Sequence, residues 1–243
     1  MVKLRTRDYR NIVVLTGAGI SAASGLRTYR GSGGLWTEMD PESFSTADAL
    51  TDDLAKVWPF YSEMRAAVLA AAPNEAHRAL AALQLAPGAS LTLVTQNVDE
   101  LHQQAGSKDV VELHGSLFRT RCSNARCTLP SFHDTALYND RVPTCSICGA
   151  ALRPDIVGFG EPLPIEAEMR VKRALRDCDL FIAIGTSGTV APAANFVRGA
   201  DYAGAMTVYV NLEPMEGDNR YFKQIVLGKA EEVLPELLGT TRR

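Results

Sequence analysis

Apolar residues fall in short runs along the chain: NIVVLT (11–16), SLTLVTQ (90–96), DVVEL (109–113), DLFIAIG (179–185), MTVYVNL (206–212) and QIVLG (224–228). Within these runs the apolar positions are mostly consecutive, as in strands covered on both faces. Between most of them the period changes to that of a helix. NEAHRALAALQ (74–84) places Asn74 as a candidate N-cap ahead of apolar positions at helical spacing. Residues 164–178, 191–204 and 229–238 also read as helices, and 47–71 as two helices broken near Pro59. Strands alternating with helices predict an α/β fold, a parallel sheet covered on both faces.

Two segments leave this alternation. Residues 31–88 read as helical with no strand, and 119–152 are polar, contain cysteines and lack a clear period. Both predict excursions from the sheet. The chain shows no internal repeat and no low-complexity tract.

Composition narrows the function classes. The 243 residues suffice for one large domain or two unequal ones. A formal net charge of −3 gives no general attraction to nucleic acid or acidic membranes. No apolar run approaches the roughly 20 residues of a membrane helix. The N-terminal stretch lacks a signal-peptide apolar region and cleavage site. The expectation is a cytoplasmic enzyme, a monomer, without nucleic-acid or membrane partners.

The first chemical motif is Gly17-Ala18-Gly19-Ile20-Ser21-Ala22, a G-x-G-x-x-A turn after a strand. Such glycines permit a tight turn and close backbone approach, and a helix N-terminus beyond them attracts a pyrophosphate. The acidic residue usual about 20 positions further on is missing. Either the motif is structural punctuation, or it belongs to a dinucleotide site of unusual construction. The ends of the other strands favour a site: TQNVDELH (95–102), LHGS (113–116), GTSG (185–188) and NLEP (211–214) are all polar. Asn211 and Glu213 are candidates for the missing ribose recognition. His114, at a strand end beside them, is a candidate general base. His102 and His77 lie in helical patterns and read as structural.

Four of the five cysteines fall in one window, Cys122-x4-Cys127 and Cys145-x2-Cys148, with Gly149 relaxing the second turn. Four thiolates in two pairs predict a closed structural zinc site. His133 is a weaker alternative ligand. Cys178, just before an apolar strand, reads as a buried small residue.

Together, GAGISAASGLRTYRG, TQNVDELHQQAGS, ELHGSLFRTRC, RPDIVGFGE, GTSGTVAPAA and NLEP resemble the sirtuin family of NAD-dependent protein deacylases, in the family's order and over most of the chain. GTSG and NLEP are similar to the bacterial members. The resemblance implies a Rossmann-like large domain (1–30, 89–118 and 153–243) and a small domain made of a helical insert (31–88) and a zinc insert (119–152). NAD and an acyl-lysine protein would meet between them. The acyl oxygen would attack the nicotinamide ribose, and a His would then activate a ribose hydroxyl, giving nicotinamide, free lysine and O-acyl-ADP-ribose. The resemblance assigns catalysis to His114, Asn97 and Asp99. It assigns cofactor contact to Gly17, Ala18, Gly19, Ser21, Tyr29, Arg30, Trp36, Gln96, Asn97, Asp99, Gly185, Thr186, Ser187, Asn211, Glu213 and Ala230. Substrate contact would fall to Tyr61, Met64, Arg65, Val157, Gly158, Phe159 and Gly160, with VGFGE pairing to the peptide as an added strand. The loop around Arg30, with glycines at 31, 33 and 34, is expected to be a mobile flap that keeps water from the reactive sugar.

The chain departs from the family at Tyr29, where Phe is usual, at Gly158, where a bulky residue is usual, and at Ala191, where Tyr is common. Members that favour succinyl or malonyl groups carry Tyr-x-x-Arg; here Tyr61 is followed by Met64 in the Arg position and Arg65 one later. One residue turns a helix by about 100°. Arg65 then either still reaches the acyl group or is a solvated surface residue, with Met64 lining an apolar pocket. The second is the expectation, so deacetylase activity should exceed desuccinylase activity. Rival functions for the same residues are a protein ADP-ribosyltransferase and a non-enzymatic NAD or ADP-ribose sensor. An ordinary Rossmann dehydrogenase would leave the zinc insert unexplained.

Overall fold

The computed structural model describes residues 4–30, 34–86, 88, 90–215 and 220–240, without the side chains of residues 36 and 42. Six strands form one parallel sheet: β1 (Asn11–Thr16), β2 (Ser90–Thr95), β3 (Val111–Glu112), β7 (Leu180–Ile184), β8 (Met206–Asn211) and β9 (Gln224–Leu227). Their order is β3-β2-β1-β7-β8-β9. These are the six runs read from the sequence, shortened by a residue or more in most cases. The run 109–113 shrinks most, to two paired residues at the sheet edge.

The consecutive apolar pattern has its reason in the two cores. Ile12 and Val14 pack with Leu93, Ile182, Val208 and Val210 on one face, under helices Glu75–Leu85 and Ala230–Leu237. Val13 and Leu15 pack with Val94, Phe181, Ala183 and Tyr209 on the other, under helices Ile165–Arg176 and Phe196–Tyr202. Successive side chains of one strand thus enter different cores, and every position must be apolar. Asn74 caps its helix as expected. Its side chain accepts from the Ala76 N–H at 2.9 Å, and its own N–H donates to His77 Nδ1 at 3.3 Å.

A second, antiparallel sheet of β4 (Gly115–Cys122), β5 (Phe132–His133) and β6 (Leu152–Ile156) carries the cysteine segment. The sequence pattern missed it, because Arg119, Arg121, Arg153 and Asp155 interrupt the apolar positions. Those charges are spent on neighbouring acids, Arg119 on Glu112 of β3 and on Asp155, Arg121 on Asp155 and Glu161, and Arg153 on Glu161 of the following loop. Between this sheet and the helical segment 49–70 lies a third core of Leu50, Leu54, Val57, Trp58, Phe60, Leu117, Phe118 and Ile156.

The region 47–71 corrects the sequence reading. The helix Leu54–Ala70 runs through Pro59, and the break falls at Asp53 after a short turn, Ala49–Asp52. Proline forfeits one intrahelical bond, but Leu54, Val57, Trp58, Phe60, Tyr61 and Val68 are all buried, and packing overrides local propensity.

Arg65, on that helix, is a second correction. It is not solvated: its exposure is 0 %. Its guanidinium donates to the carbonyls of Leu117 (2.6 Å) and Ala136 (2.7 Å), to Thr120 Oγ1 (2.9 Å) and to the Asp134 carboxylate (3.3 Å). It also lies 5.1 Å from the Trp58 ring, whose Nε1 donates to the Leu152 carbonyl. Together these bonds fasten the helical insert to the cysteine-bearing sheet. Arg65→Met would strand a buried carboxylate and two carbonyls; urea denaturation should show a loss of about 3–5 kcal/mol.

Candidate functional site

A cleft of ≈ 1090 Å³ opens at the carboxyl ends of β1, β2, β7 and β8 and continues to the loop 156–163. Strand order reverses direction between β1 and β7, the position at which open α/β sheets bind ligands. Gly17 and Gly19 follow β1, and Gly185 follows β7 with φ +61°. The two turns touch backbone to backbone. A Cβ on Gly17 would lie 2.7 Å from the Gly185 carbonyl, and one on Gly185 would lie 2.5 Å from Ile20 N. The N–H groups of Gly17 and Gly19 donate to the carbonyls of Ile184 and Gly185. The glycines therefore lock two loops together as well as admitting a ligand. The element after them is a 3-10 helix, Ala18–Ser24, rather than a full α-helix.

The cleft floor is a polar network. The Ser21 hydroxyl donates to Asp99 Oδ2 at 2.7 Å and accepts from Asn97 Nδ2 at 3.2 Å. Asn97 Nδ2 also donates to the Gly17 carbonyl. Both amide protons are thus directed at the protein, which fixes the orientation of the amide oxygen. Burial raises the Asp99 pKa, against the opposing pull of its donors from Leu101 N and Ser21. His77 and His102 lie behind this floor, both buried. His77 Nε2 meets Ser21 Oγ, and His102 Nε2 meets Thr16 Oγ1. Their pKa values are pushed down by burial, to about 4 and about 3, so both are neutral structural groups.

His114 joins the two sheets, between β3 and β4. Its Nδ1 is 2.9 Å from the Gln96 carbonyl. A carbonyl only accepts, so Nδ1 carries the proton and Nε2 keeps its lone pair. Burial lowers the His114 pKa, and the Gln96 bond only partly opposes it. The ring is a neutral base.

At the far end, Asn211 Nδ2 donates to the Tyr209 hydroxyl (2.6 Å), which donates to the Thr186 carbonyl (2.8 Å). Gln96 Nε2 donates to Thr186 Oγ1 (3.0 Å). Gly185, Thr186, Ser187, Asn211, Glu213 and Ala230 all line the cleft here, as do Gly17, Ala18, Gly19, Tyr29, Arg30, Gln96, Asn97 and His114. Ser21 and Asp99 lie behind Asn97 rather than on the wall. The Trp36 side chain, like Gly31 and Gly33 of the expected flap, lies outside the described residues.

At the opposite wall are Tyr61, Val157, Gly158, Phe159 and Gly160, with Ala191 across from them on the loop after β7. Met64 and Arg65 are not among the residues lining the cleft; Met64 packs partly buried against the third core. Two residues here escaped sequence reasoning. Arg153, 3 % exposed, holds both oxygens of Glu161 at 2.7 and 2.8 Å. Glu161 in turn accepts from the Gly158 N–H at 2.8 Å and so folds the loop 158–161. Only the RPDIVGFGE string hinted at this, and the eight-residue separation shows no periodicity. The second is Ser45, whose Oγ lies 2.9 Å from the Tyr61 hydroxyl. It ends the short helix Glu42–Ser45, with no pattern to mark it. The Phe159 N–H donates to the Ser45 carbonyl, and the Phe159 carbonyl accepts from Ala47 N, so added-strand pairing at this residue is already satisfied within the chain.

The four cysteine sulfurs lie within 4.8 Å of one another, Cys122 to Cys148 at 3.5 Å and Cys127 to Cys145 at 3.6 Å. A tetrahedral ion with Zn–S of about 2.3 Å requires sulfurs about 3.8 Å apart. Backbone N–H groups of Leu129 and Ile147 point at the sulfurs of Cys127 and Cys145. The donor set fits a zinc ion and leaves no open coordination position. The wider first pair is accounted for by a turn in which Asn124 Oδ1 accepts from Arg126 N and the Asn124 carbonyl accepts from Cys127 N. His133 is exposed on β5 and outside the cluster, and Cys178 is buried beside Leu180.

Comparison with known proteins agrees with this geometry. The Sir2 family model matches residues 17–192. NAD-dependent protein deacylase 1 of Pseudomonas aeruginosa is 45 % identical over 94 % of this chain and 93 % of its own. A mutant Sir2 homologue bound to ADP-ribose superposes with a TM-score of 0.89 at 38 % identity, over 95 % of this chain and 91 % of the other. A Sir2–p53 peptide–NAD+ complex superposes with a TM-score of 0.81 at 30 % identity, over 96 % and 94 %. Among the described residues no helix is long and apolar enough to cross a membrane.

The cysteine geometry generates one expectation. Purified protein should carry one zinc ion per chain by elemental analysis, and Cys145→Ser should lose it together with several degrees of melting temperature.

Proposed function

The chain belongs to the Sir2 family and is an NAD-dependent protein deacylase, and we propose that it removes small neutral acyl groups, acetyl among them, from lysine in preference to succinyl or malonyl groups. The observation that carries the preference is Arg65. Its guanidinium is consumed by the cysteine-bearing sheet and is not on the cleft wall, and Met64, in the sequence position of the family's Arg, packs against the third core and offers no charge. The cleft's cations among the described residues, Arg27, Arg30 and Lys229, are exposed at its mouth. Arg153, deeper in, is already neutralised by Glu161. A second carboxylate there would have to compete with Glu161 for Arg153.

In this reading Gly17, Gly19 and the 185–187 turn hold the pyrophosphate. Asn211 and Glu213 hold the adenosine ribose, and the fixed oxygen of Asn97 meets the nicotinamide carboxamide. The acyl-lysine enters past Val157–Gly160. The acyl oxygen displaces nicotinamide from the ribose. His114 Nε2 then takes the proton of a ribose hydroxyl, whose oxygen attacks the acyl carbon. With one water consumed, the bond to the lysine nitrogen breaks, giving free lysine and O-acyl-ADP-ribose. Burial of His114 keeps it in the base form, which this step needs. A zinc ion on the four cysteines would supply a cross-link only, remote from the step.

His114→Ala should abolish deacylation, assayed by mass of the peptide product, while calorimetric NAD binding changes little; retained turnover would exclude the base. Because burial lowers the His114 pKa, its neutral form persists below the ordinary histidine midpoint of about 6.5. The acid limb of kcat against pH should therefore fall below that value. On one peptide sequence, acetyl-lysine should be consumed faster than succinyl-lysine, and the reverse order would overturn the neutral-acyl preference.

A further inference from the structure

Gly158 stands where the family usually places a bulky residue, and its surroundings show what the glycine permits. A Cβ at 158 would lie 2.6 Å from Leu50 Cδ1, 2.9 Å from the Ser45 carbonyl and 3.0 Å from Thr46 C. Any side chain would push the Ser45–Thr46 segment away. With glycine the segment lies on the loop: Phe159 N donates to the Ser45 carbonyl at 2.6 Å, Ala47 N donates to the Phe159 carbonyl at 3.0 Å, and Thr46 pairs with Phe159 in parallel. Ser45 is thereby held on the cleft wall beside Tyr61.

The pair carries unspent hydrogen-bonding capacity. Two hydroxyls bring two O–H donors, and the 2.9 Å contact uses one. Neither Ser45 Oγ nor the Tyr61 hydroxyl has a third partner among the described residues. Tyr61 is 3 % exposed, and burial holds its phenol well above the usual range, so it stays protonated. One O–H and several lone pairs of the buried Tyr61 and the half-buried Ser45 are therefore left facing the cleft. The nearest ionised groups, Arg153 and Glu161, cancel each other. The complementary ligand is a neutral group that both accepts and donates, which describes a hydroxyl better than a methyl or a carboxylate.

We propose that the Ser45–Tyr61 hydroxyl pair, brought to the cleft by Gly158, recognises a hydroxyl on the acyl chain, so that lysine bearing a short hydroxyacyl group is preferred to the same acyl group without the hydroxyl. This rests on the deacylase reading above. One neutral hydrogen bond to a transition-state group corresponds to roughly a 2- to 10-fold gain in kcat/KM.

The test compares peptides of one sequence carrying acetyl-, butyryl- and 3-hydroxybutyryl-lysine, with NAD, on the full chain. The wild-type ratio of 3-hydroxybutyryl to butyryl kcat/KM should be roughly 2 to 10. It should fall towards one in Ser45→Ala and in Tyr61→Phe, each of which removes one hydroxyl. It should also fall in Gly158→Val, which displaces Ser45 without touching either hydroxyl. A wild-type ratio of one, or a ratio unchanged in both hydroxyl variants, overturns the inference while acetyl-lysine turnover leaves the deacylase reading standing. No turnover of any acyl peptide would sink both.

Discussion

The contact on which the site depends is made without side chains. The turns after β1 and β7 meet at Gly17, Gly19 and Gly185, closer than any Cβ would allow. β1 and β7 are adjacent strands at the point where the sheet changes direction, so loops there diverge to opposite faces and leave a crevice. Direct backbone contact narrows the base of that crevice and joins its two lips through the Gly17 and Gly19 N–H bonds. The floor is referred to this joint: Asn97 is anchored on the Gly17 carbonyl, and Thr186, next to Gly185, receives Gln96 and Tyr209. The Gln96 carbonyl then sets the tautomer of His114. A string of short bonds therefore runs from the glycine joint to His114.

The inserts are attached by a different physics. Arg65 and Trp58 reach from the helix Leu54–Ala70 into the cysteine-bearing sheet, and Arg153 grips Glu161 beneath the substrate loop. These are desolvated cations whose cost is met only by several well-aligned acceptors each. Both guanidinium groups are committed to structure, and the hydroxyls of Tyr61 and Ser45 line the cleft beside them.

Burial has the same meaning at the catalytic end. It lowers the pKa of His77, His102 and His114, and in each case the neutral imidazole results. Their surroundings differ: His77 and His102 are buried behind the cleft with Nε2 against Ser21 and Thr16, whereas His114 lines the cleft and has its Nδ1, not its Nε2, on the Gln96 carbonyl.

Much of this was legible in the chain itself. All six sheet strands, the Asn74 cap, the four-cysteine cluster and the polar strand ends follow from local pattern, because burial on two faces, capping and metal-ligand spacing each leave a short-range signature. Three things were decided only by tertiary structure. Pro59 sits inside a helix because packing of the Leu54–Ala70 face outweighs one lost bond. The sheet of β4, β5 and β6 was hidden because its charges are paired across strands rather than solvated. Arg65 and Ser45 took their positions from residues 16 or more places away, a guanidinium from Asp134 and Leu117, a hydroxyl from Tyr61 and the space at Gly158. Periodicity reports which face of an element is buried; it carries no information on which distant group a polar side chain will meet there, and at this cleft that meeting decides which polar groups are left facing it.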